Sequence, residues 1–442
     1  MRVLRKLEAE RVELVTCSDL SLLRVTTSFV ESAGLAFGLG ENETLALTLA
    51  VEEVFVYLCK TIPPHDIIRI NVTGKGFQVE VDFVFAQHDL DLRAFNIVCM
   101  PDPTQLDDAC DETGMIIASR MVDSFNLDCG GSKLKLGLVK EKYYPAIDHL
   151  PIAEVQFSDP IAIHEANPSQ VKELVRLASV CYDPISLPES YRYPGKVVDM
   201  VVRGYYFAAV AIDRKGLVGG GITWRWESDR LVTFRGPFIA SNCDKTELST
   251  QLVNFLLQKV ARTNAIGVMS SWPSSDLPVE LFEKLGSQTL FHDGRQTEVN
   301  AYFRHLNEDY GNVVLVHPTI SEFVRNRYSE LVLARHVENL QDTGESKFAC
   351  SVISTKILRT SGRVFLRPVI CGLDAVENLK AHVDLLLGDG IPNIFFEMDL
   401  GNHEIGMYSP ALLECSFLPR FLIPHGGAGD IVIFQYIPGG SH

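Results

Sequence analysis

Two periods of apolar residues run along this chain and divide it into helices and strands. The stretch Leu45 to Lys60, LALTLAVEEVFVYLCK, is apolar on nearly every side and predicts a helix buried on more than one face. Before it, Glu8 to Thr16 reads as a strand, and Asp19 is placed to cap a helix with the apolar face Leu22, Val25, Phe29 and Ala33. After it, IIRINV and FQVEVDFVF alternate with period two around Thr73-Gly74-Lys75-Gly76, a hairpin. A short helix over Gly114 to Ser124 and a last strand over Lys133 to Val139 complete the first unit.

The segment Asp148 to Ser158 reads as a boundary. Beyond it the pattern predicts a helix (Asn167 to Cys181), three strands (Tyr205 to Asp213, Leu217 to Trp226, Leu231 to Phe238), a helix (Glu247 to Thr263) and a strand (Ile266 to Ser271). A short helix from Pro278 to Leu285 and a strand from Thr297 to His305 follow. Past a second boundary at Glu308 to Asn312, helices are expected over Ser321 to Ala334, Ala375 to Leu387 and Pro410 to Cys415. Strands are expected over Phe348 to Ile353, Val364 to Val369, Ile391 to Met398 and Asp430 to Ile437. Three units result, 1–147, 155–308 and 312–442, of α/β (α+β) class.

Composition narrows the classes. The 442 residues carry a formal charge of -16, and the Lys and Arg are not clustered, which argues against nucleic acid and anionic membranes as partners. The basic start lacks an apolar segment behind it and no run approaches membrane-spanning length, so a cytoplasmic location is expected. Ten scattered cysteines without a CxxC pair read as buried, reduced thiols, and twelve histidines without HxH or HExxH spacing give no metal site. The final GGSH is compatible with a native end or a tag stub.

The chemically notable residues of the first unit are Glu52 and Glu53, adjacent carboxylates in an apolar helix. Neighbours on a helix lie about 100° apart, so they do not face one site together. One reading gives Glu53 acid–base work; the other places one carboxylate at the solvent edge and pairs its neighbour with backbone or Lys60.

The phrase VESAGLAFGLGENETLALTLAVEEV and the element order over residues 8 to 142 resemble the GHKL ATPase fold, more narrowly the anti-sigma-factor serine kinases. The resemblance implies a catalytic Glu, matched by Glu53, and an Asn four residues on that holds Mg, where this chain has Tyr57. It also implies an adenine-binding DxGxG box, whose Asp and first Gly fall on Phe85 and Gln87, and a glycine-rich lid, reduced to Glu112-Thr113-Gly114-Met115 with Gly130-Gly131 further on. Phe85 does not accept the adenine amino proton, and few lid glycines leave few backbone N–H groups for phosphates. The expectation is a pseudo-ATPase with ATP–Mg as candidate ligand.

The middle order, with AIDRKGLVGGGITW and LFEKLGSQTLF, resembles the GNAT acyltransferase fold over residues 155 to 308. That fold implies a splayed fourth strand followed by a loop of (Q/R)xxGx(G/A) type that grips the diphosphate of CoA. Here the loop runs Ile239-Ala240-Ser241-Asn242-Cys243-Asp244-Lys245-Thr246, without glycine and with a carboxylate that only Lys245 or Arg235 could offset. Ser241, Asn242, Lys245 and Thr246 are the candidate CoA contacts, and Ser241, Asn242 and Thr246 alternatively cap the following helix. Glu227, Asp229 and Tyr302 are the candidate acid–base groups. Trp224 and Trp226 either line a cleft or pack on the sheet.

LLLGDGIPNIFFEMDL followed by ALLECSFLP repeats the middle order and suggests a second GNAT-like unit, with Cys371-Gly372-Leu373-Asp374 too short for the diphosphate signature. Its Glu397 and Asp399 share a strand face. The whole resembles bacterial fusions of an ATPase-like domain with acetyltransferase-like domains. Three functions are compatible: a regulatory or sensory protein that binds a ligand or a partner of sigma/anti-sigma type, an acyl-CoA-dependent N-acyltransferase, and an active protein serine kinase.

Overall fold

The computed structural model describes residues 10–86, 95–96, 106–130, 133–147, 162–240, 243–292, 294–340, 348–358, 361–402 and 406–438. The first unit runs β1 (Glu10–Cys17), α1 (Leu23–Ala36), α2 (Glu41–Thr61), β2 (Ile67–Gly74), β3 (Gln78–Ala86), α3 (Leu106–Met121), β4 (Ser124–Gly130) and β5 (Lys133–Glu141). Its strands form one antiparallel sheet of order β1-β2-β3-β5-β4. Strand β3 buries every second residue, Val79, Val81, Phe83 and Phe85, against the helices. Helix α2 buries Leu47, Val51, Val54, Phe55, Tyr57 and Leu58, which is why its sequence is apolar nearly all round. Sequence periodicity missed β4 and started α3 too late, because neither has a clean apolar stripe.

The middle unit runs β6 (Ala162–Glu165), α4 (Pro168–Cys181), α5 (Pro194–Val202), β7 (Phe207–Ile212), β8 (Val218–Trp226), β9 (Leu231–Ile239), α6 (Lys245–Val260), β10 (Gly267–Ser270), β11 (Glu283–His292) and β12 (Arg295–His305). Asn167 and Gln170 form a reciprocal capping box that starts α4, with Pro168 inside it. The sheet order is β11-β12-β10-β9-β8-β7-β6, and β9 with β10 is its parallel pair. The helix expected over Pro278 to Leu285 is instead a single 3₁₀ turn, Val279–Leu281, and Glu283 onward is strand. Tertiary pairing with β12 overrides the weak local helical preference there.

The last unit runs β13 (Asn312–Val316), α7 (Pro318–Glu330), β14 (Arg335–Asn339), β15 (Val352–Leu358), β16 (Arg363–Ile370), α8 (Ala375–Gly388), β17 (Asn393–Asp399), α9 (Ser409–Glu414), β18 (Phe417–Ile423) and β19 (Ile431–Tyr436). Its main sheet, β15-β16-β17-β19-β18 with β16 parallel to β17, has the order and directions of β8-β9-β10-β12-β11. The repeat covers only that half. Strands β13 and β14 form a separate parallel pair, so the second unit is not a whole copy of the middle one.

Side chains bind the units together. The outer edge of β11 would otherwise present unpaired backbone groups. Gln435 accepts from Thr289 N (2.9 Å) and donates to Thr289 O; Asn393 accepts from Phe291 N (2.8 Å) and donates to Phe291 O (3.0 Å); Arg420 donates to Ser287 O (3.0 Å). These alternate residues face outward in the same register. Gly286 permits the closest approach, since a Cβ there would lie 2.6 Å from Arg420 O. Behind this seam Leu231, Met269, Trp272, Leu285 and Leu290 share a core with Phe395, Phe421 and Ile433. The first unit is joined to the last through buried Asn96, which donates to Ser351 O (2.9 Å) and accepts from Ile353 N (3.0 Å).

A buried ion network fixes the linker. Arg335, with a side chain 0% exposed, bonds Asp309 (2.7 Å) and Asp430 (2.8 Å), while His425 reaches Asp309 (2.9 Å) and Tyr328 donates to Asp430 (2.8 Å). Thiols are distributed differently from the expectation of uniform burial, since Cys415 is buried and Cys181 exposed. Among the described residues no helix is long and apolar enough to cross a membrane.

Two outcomes follow from these contacts. Gln435→Leu leaves the Thr289 N–H and C=O buried without partners, and urea unfolding should show a loss of about 2–4 kcal/mol. For Asp309, burial pushes the carboxyl up, but hydrogen bonds from His425, Arg335 and Gly311 N–H outweigh it and bring it from 3.8 to about 2. Because the folded value is the lower one, its stabilisation is complete above the unfolded value and is lost as pH falls toward 2. Thermal midpoints measured across that range should therefore fall more steeply for the wild type than for Asp309→Asn, which starts lower at neutral pH.

Candidate functional site

The middle sheet opens a wedge at its fourth strand. Pairing of β9 with β10 ends at Thr233 and Met269, although β9 continues to Ile239. Backbone groups along the inner edge of β9 beyond that point need other partners. Ser274 Oγ donates to Pro237 O (2.7 Å), and Tyr182 Oη accepts from Ile239 N (2.7 Å). Tyr182 in turn hydrogen-bonds Asp276, whose carboxylate also pairs with Lys245 (3.1 Å). Burial first, and then the bond to Asp276, raise the Tyr182 hydroxyl far above its ordinary pKa, so it stays a neutral donor. Arg235 Nη1 crosses the wedge to Trp272 O (3.2 Å).

The N-cap of α6 is Asp244, which accepts from Thr246 N (3.0 Å) and Glu247 N (3.2 Å), so Thr246, one of the expected caps, is instead a residue of the first turn. A carboxylate thus sits where the helix dipole would favour an incoming anion. Ser241 and Asn242 lie outside the described residues. Lys245 is directed to Asp276, so its charge is already matched.

Among the candidate acid–base groups, Glu227 continues the face of β8 beside the wedge. It is bonded by Arg225 (2.6 Å) and lies 3.4 Å from the hydroxyl of Thr233, the last residue of β9 paired to β10. Asp229 is exposed in the β8–β9 turn, and Tyr302 is half-buried beneath the opposite face. Trp224 packs in the core under α6 and stacks on Phe207, while Trp226 is at the surface. Glu397 and Asp399 have separate partners: Glu397 binds Arg367, and Asp399 accepts from the backbone N–H groups of Gly401, Ala428 and Gly429.

In the first unit, Tyr57 and Phe85 are 4% and 2% exposed and belong to the core, with Phe95 edge-on to Tyr57 at 5.7 Å. Glu53 is half-buried and its carboxylate lies against Gly114, where a Cβ would stand 2.5 Å from Oε2. Gln87 lies outside the described residues. The positions that the ATPase resemblance assigns to adenine and Mg are thus filled by packed aromatic rings. Among the described residues no group of three or more His, Cys, Asp and Glu is placed to hold a metal. A cavity of about 350 Å³ between the first and middle units is lined by Lys140, Glu141, Tyr144 and Lys196. Its Glu141–Lys196 pair joins the two units.

No protein-family profile matches the chain, and no curated protein does. Solved structures do. The chain is similar to a GNAT superfamily phosphinothricin acetyltransferase from Sinorhizobium meliloti in complex with AcCoA, at 14% identity over 34% of this chain and 90% of that one, TM-score 0.29. It is similar to aminoglycoside 6'-acetyltransferase type Ii at 18% identity, over 34% and 99%, TM-score 0.28. An acetyltransferase of the GNAT family from Staphylococcus aureus Mu50 matches at 14% identity, over 34% and 100%, TM-score 0.27. The resemblance to GHKL ATPases finds no support in these comparisons.

Proposed function

We propose that the middle unit is an acyl-CoA-dependent N-acyltransferase unit whose thioester arm enters the wedge between β9 and β10. The observation that carries this reading is the parting of the two strands after Thr233, on the fourth strand of the unit. An extended, amide-bearing arm can pair with the freed inner edge of β9 as an added strand does. Tyr182 and Ser274 now occupy that edge, so they are the groups an arm would displace. In this reading Glu227, held by Arg225 beside the wedge, takes the proton from the attacking amine. Nitrogen then attacks the thioester carbonyl, the C–S bond breaks, and the thiolate leaves to be protonated by solvent.

A specific observation favours a second reading. The start of α6 is closed by the Asp244 carboxylate, which repels a diphosphate, and the aromatic filling of the first unit opposes nucleotide binding. Both suit a regulatory protein in which these folds bind a ligand or partner without group transfer.

The two readings part in one titration. If the acyltransferase reading holds, millimolar acetyl-CoA raises the thermal midpoint of the full chain, worth about 3–4 kcal/mol at saturation, and an amine acceptor screen releases free thiol. Asp244→Asn should then tighten acetyl-CoA binding by about tenfold or less, as one like charge is removed. An unmoved midpoint in both proteins rejects acyl transfer and leaves the regulatory reading. For the first unit, Mg-dependent ATP hydrolysis abolished by Glu53→Gln would overturn its assignment as inactive.

A further inference from the structure

The sheet of the last unit turns one face toward the middle sheet, and both faces carry cations where they meet. Strand β16 presents Arg363, Phe365 and Arg367 on that face, with Lys356 of β15 opposite Phe365. The middle sheet presents Arg225 of β8 opposite Thr233, and Arg235 of β9 opposite Thr223. Two carboxylates stand among these five cations. Glu227 is bonded to Arg225 and Glu397 to Arg367, so both are already matched.

Arg235, Arg363 and Lys356 remain, and the two arginines share a neighbour. Trp272 brings them together: Arg235 donates to its carbonyl at 3.2 Å, and the Arg363 guanidinium lies 4.0 Å from its ring centroid. Arg363 is 5% exposed and otherwise bonds Ser361 Oγ (2.8 Å). Among the described residues neither forms an ion pair; Glu189 acts on Arg363, and Glu227 on Arg235, through space. Burial, followed by the repulsion of Arg235, lowers the Arg363 guanidinium to about 9. A cation–π contact offsets part of the burial but leaves the charge in place.

The chain handles a buried arginine differently elsewhere. Arg335 is equally enclosed and receives two carboxylates. Two unmatched guanidiniums facing one another cost stability unless an anion joins them. At one end of the junction the side chain of Arg367 is 61% exposed, and Lys356 is exposed there too. The inner wall is aromatic, with Phe365 stacked on Phe395 at 5.3 Å and Trp272 edge-on to Phe395.

We infer that the cationic junction between the two sheets is a binding site for a small organic anion, whose carboxylate or phosphate bridges Arg235 and Arg363 while its apolar body lies against Phe365. Bidentate guanidinium contacts suit both head groups, and the aromatic wall selects a ligand with an apolar portion over an inorganic ion. The site borders the wedge through Arg235 and the Arg225–Glu227 pair, but the inference does not rest on the acyl-CoA reading.

The test uses the full chain, without CoA, at constant ionic strength. Phenyl phosphate and phenylacetate are titrated to about 10 mM while the thermal midpoint is followed, with sodium chloride as control. At least one probe should stabilise the wild type saturably, and the stronger of the two names the head group. Arg363→Met should weaken that binding by about tenfold or more while its midpoint without probe is no lower than that of the wild type, because an unmatched charge has been removed. Should Arg363→Met fail to fold, Lys356→Met at the mouth should weaken binding severalfold. A wild type unmoved by both probes, or a folded Arg363→Met that binds as the wild type does, overturns the site.

Discussion

The side-chain sealing of the outer edge of β11 is the constraint on which the arrangement of this molecule rests. A seven-stranded sheet ending in a bare strand would expose Ser287, Thr289 and Phe291 backbone groups to any other strand. Arg420, Gln435 and Asn393 supply those hydrogen bonds from the last unit, and the two amides match both the donor and the acceptor of a residue at once. The fit requires the two sheets to lie face to face with one register. Everything between them follows from it: the shared core around Trp272 and Phe395, and the cluster of cations beside it.

Buried charge is treated in two ways in the same molecule. Around Arg335 it is closed off, with Asp309, Asp430, Tyr328 and His425 tying the linker, β14, α7 and the loop before β19 into one network. That network is rigid because each partner loses more by leaving than the pair gains by forming. Around Arg235 and Arg363 the charge has no ion-pair partner among the described residues, and such an arrangement lowers stability and favours an anion that joins the two.

In the wedge of the middle sheet the freed edge of β9 is met by side chains of the chain itself. The strands part, but Tyr182 and Ser274 bond the exposed edge, Asp276 bridges Tyr182 to Lys245, and Asp244 closes the start of α6. In the first unit Tyr57, Phe85 and Phe95 are packed in the core beneath the sheet's helices.

Local periodicity was enough to place α2, the β2–β3 hairpin, α4 and the strands around the wedge, because those elements bury their apolar positions against neighbours close in sequence. Glu53 also stood out as a carboxylate in an apolar helix, whereas Tyr57, Phe85 and the loop after β9 were marked only through the resemblances. Periodicity missed β4, β6, α5, β11, β13, β14 and β18. Strand β11 is interrupted at Gly286 and sealed by residues more than a hundred positions away, and β18 carries Pro419 in its interior. Nor did any local pattern mark Asn393, Gln435, Arg235 or Arg363. A lone amide or arginine on a strand has no periodic signature, and its role arises only when a second sheet places the matching backbone group or like charge against it. The sequence alone therefore determined the elements and the candidate folds, whereas the docking of sheet on sheet decided which polar side chains are structural and which are left facing a ligand.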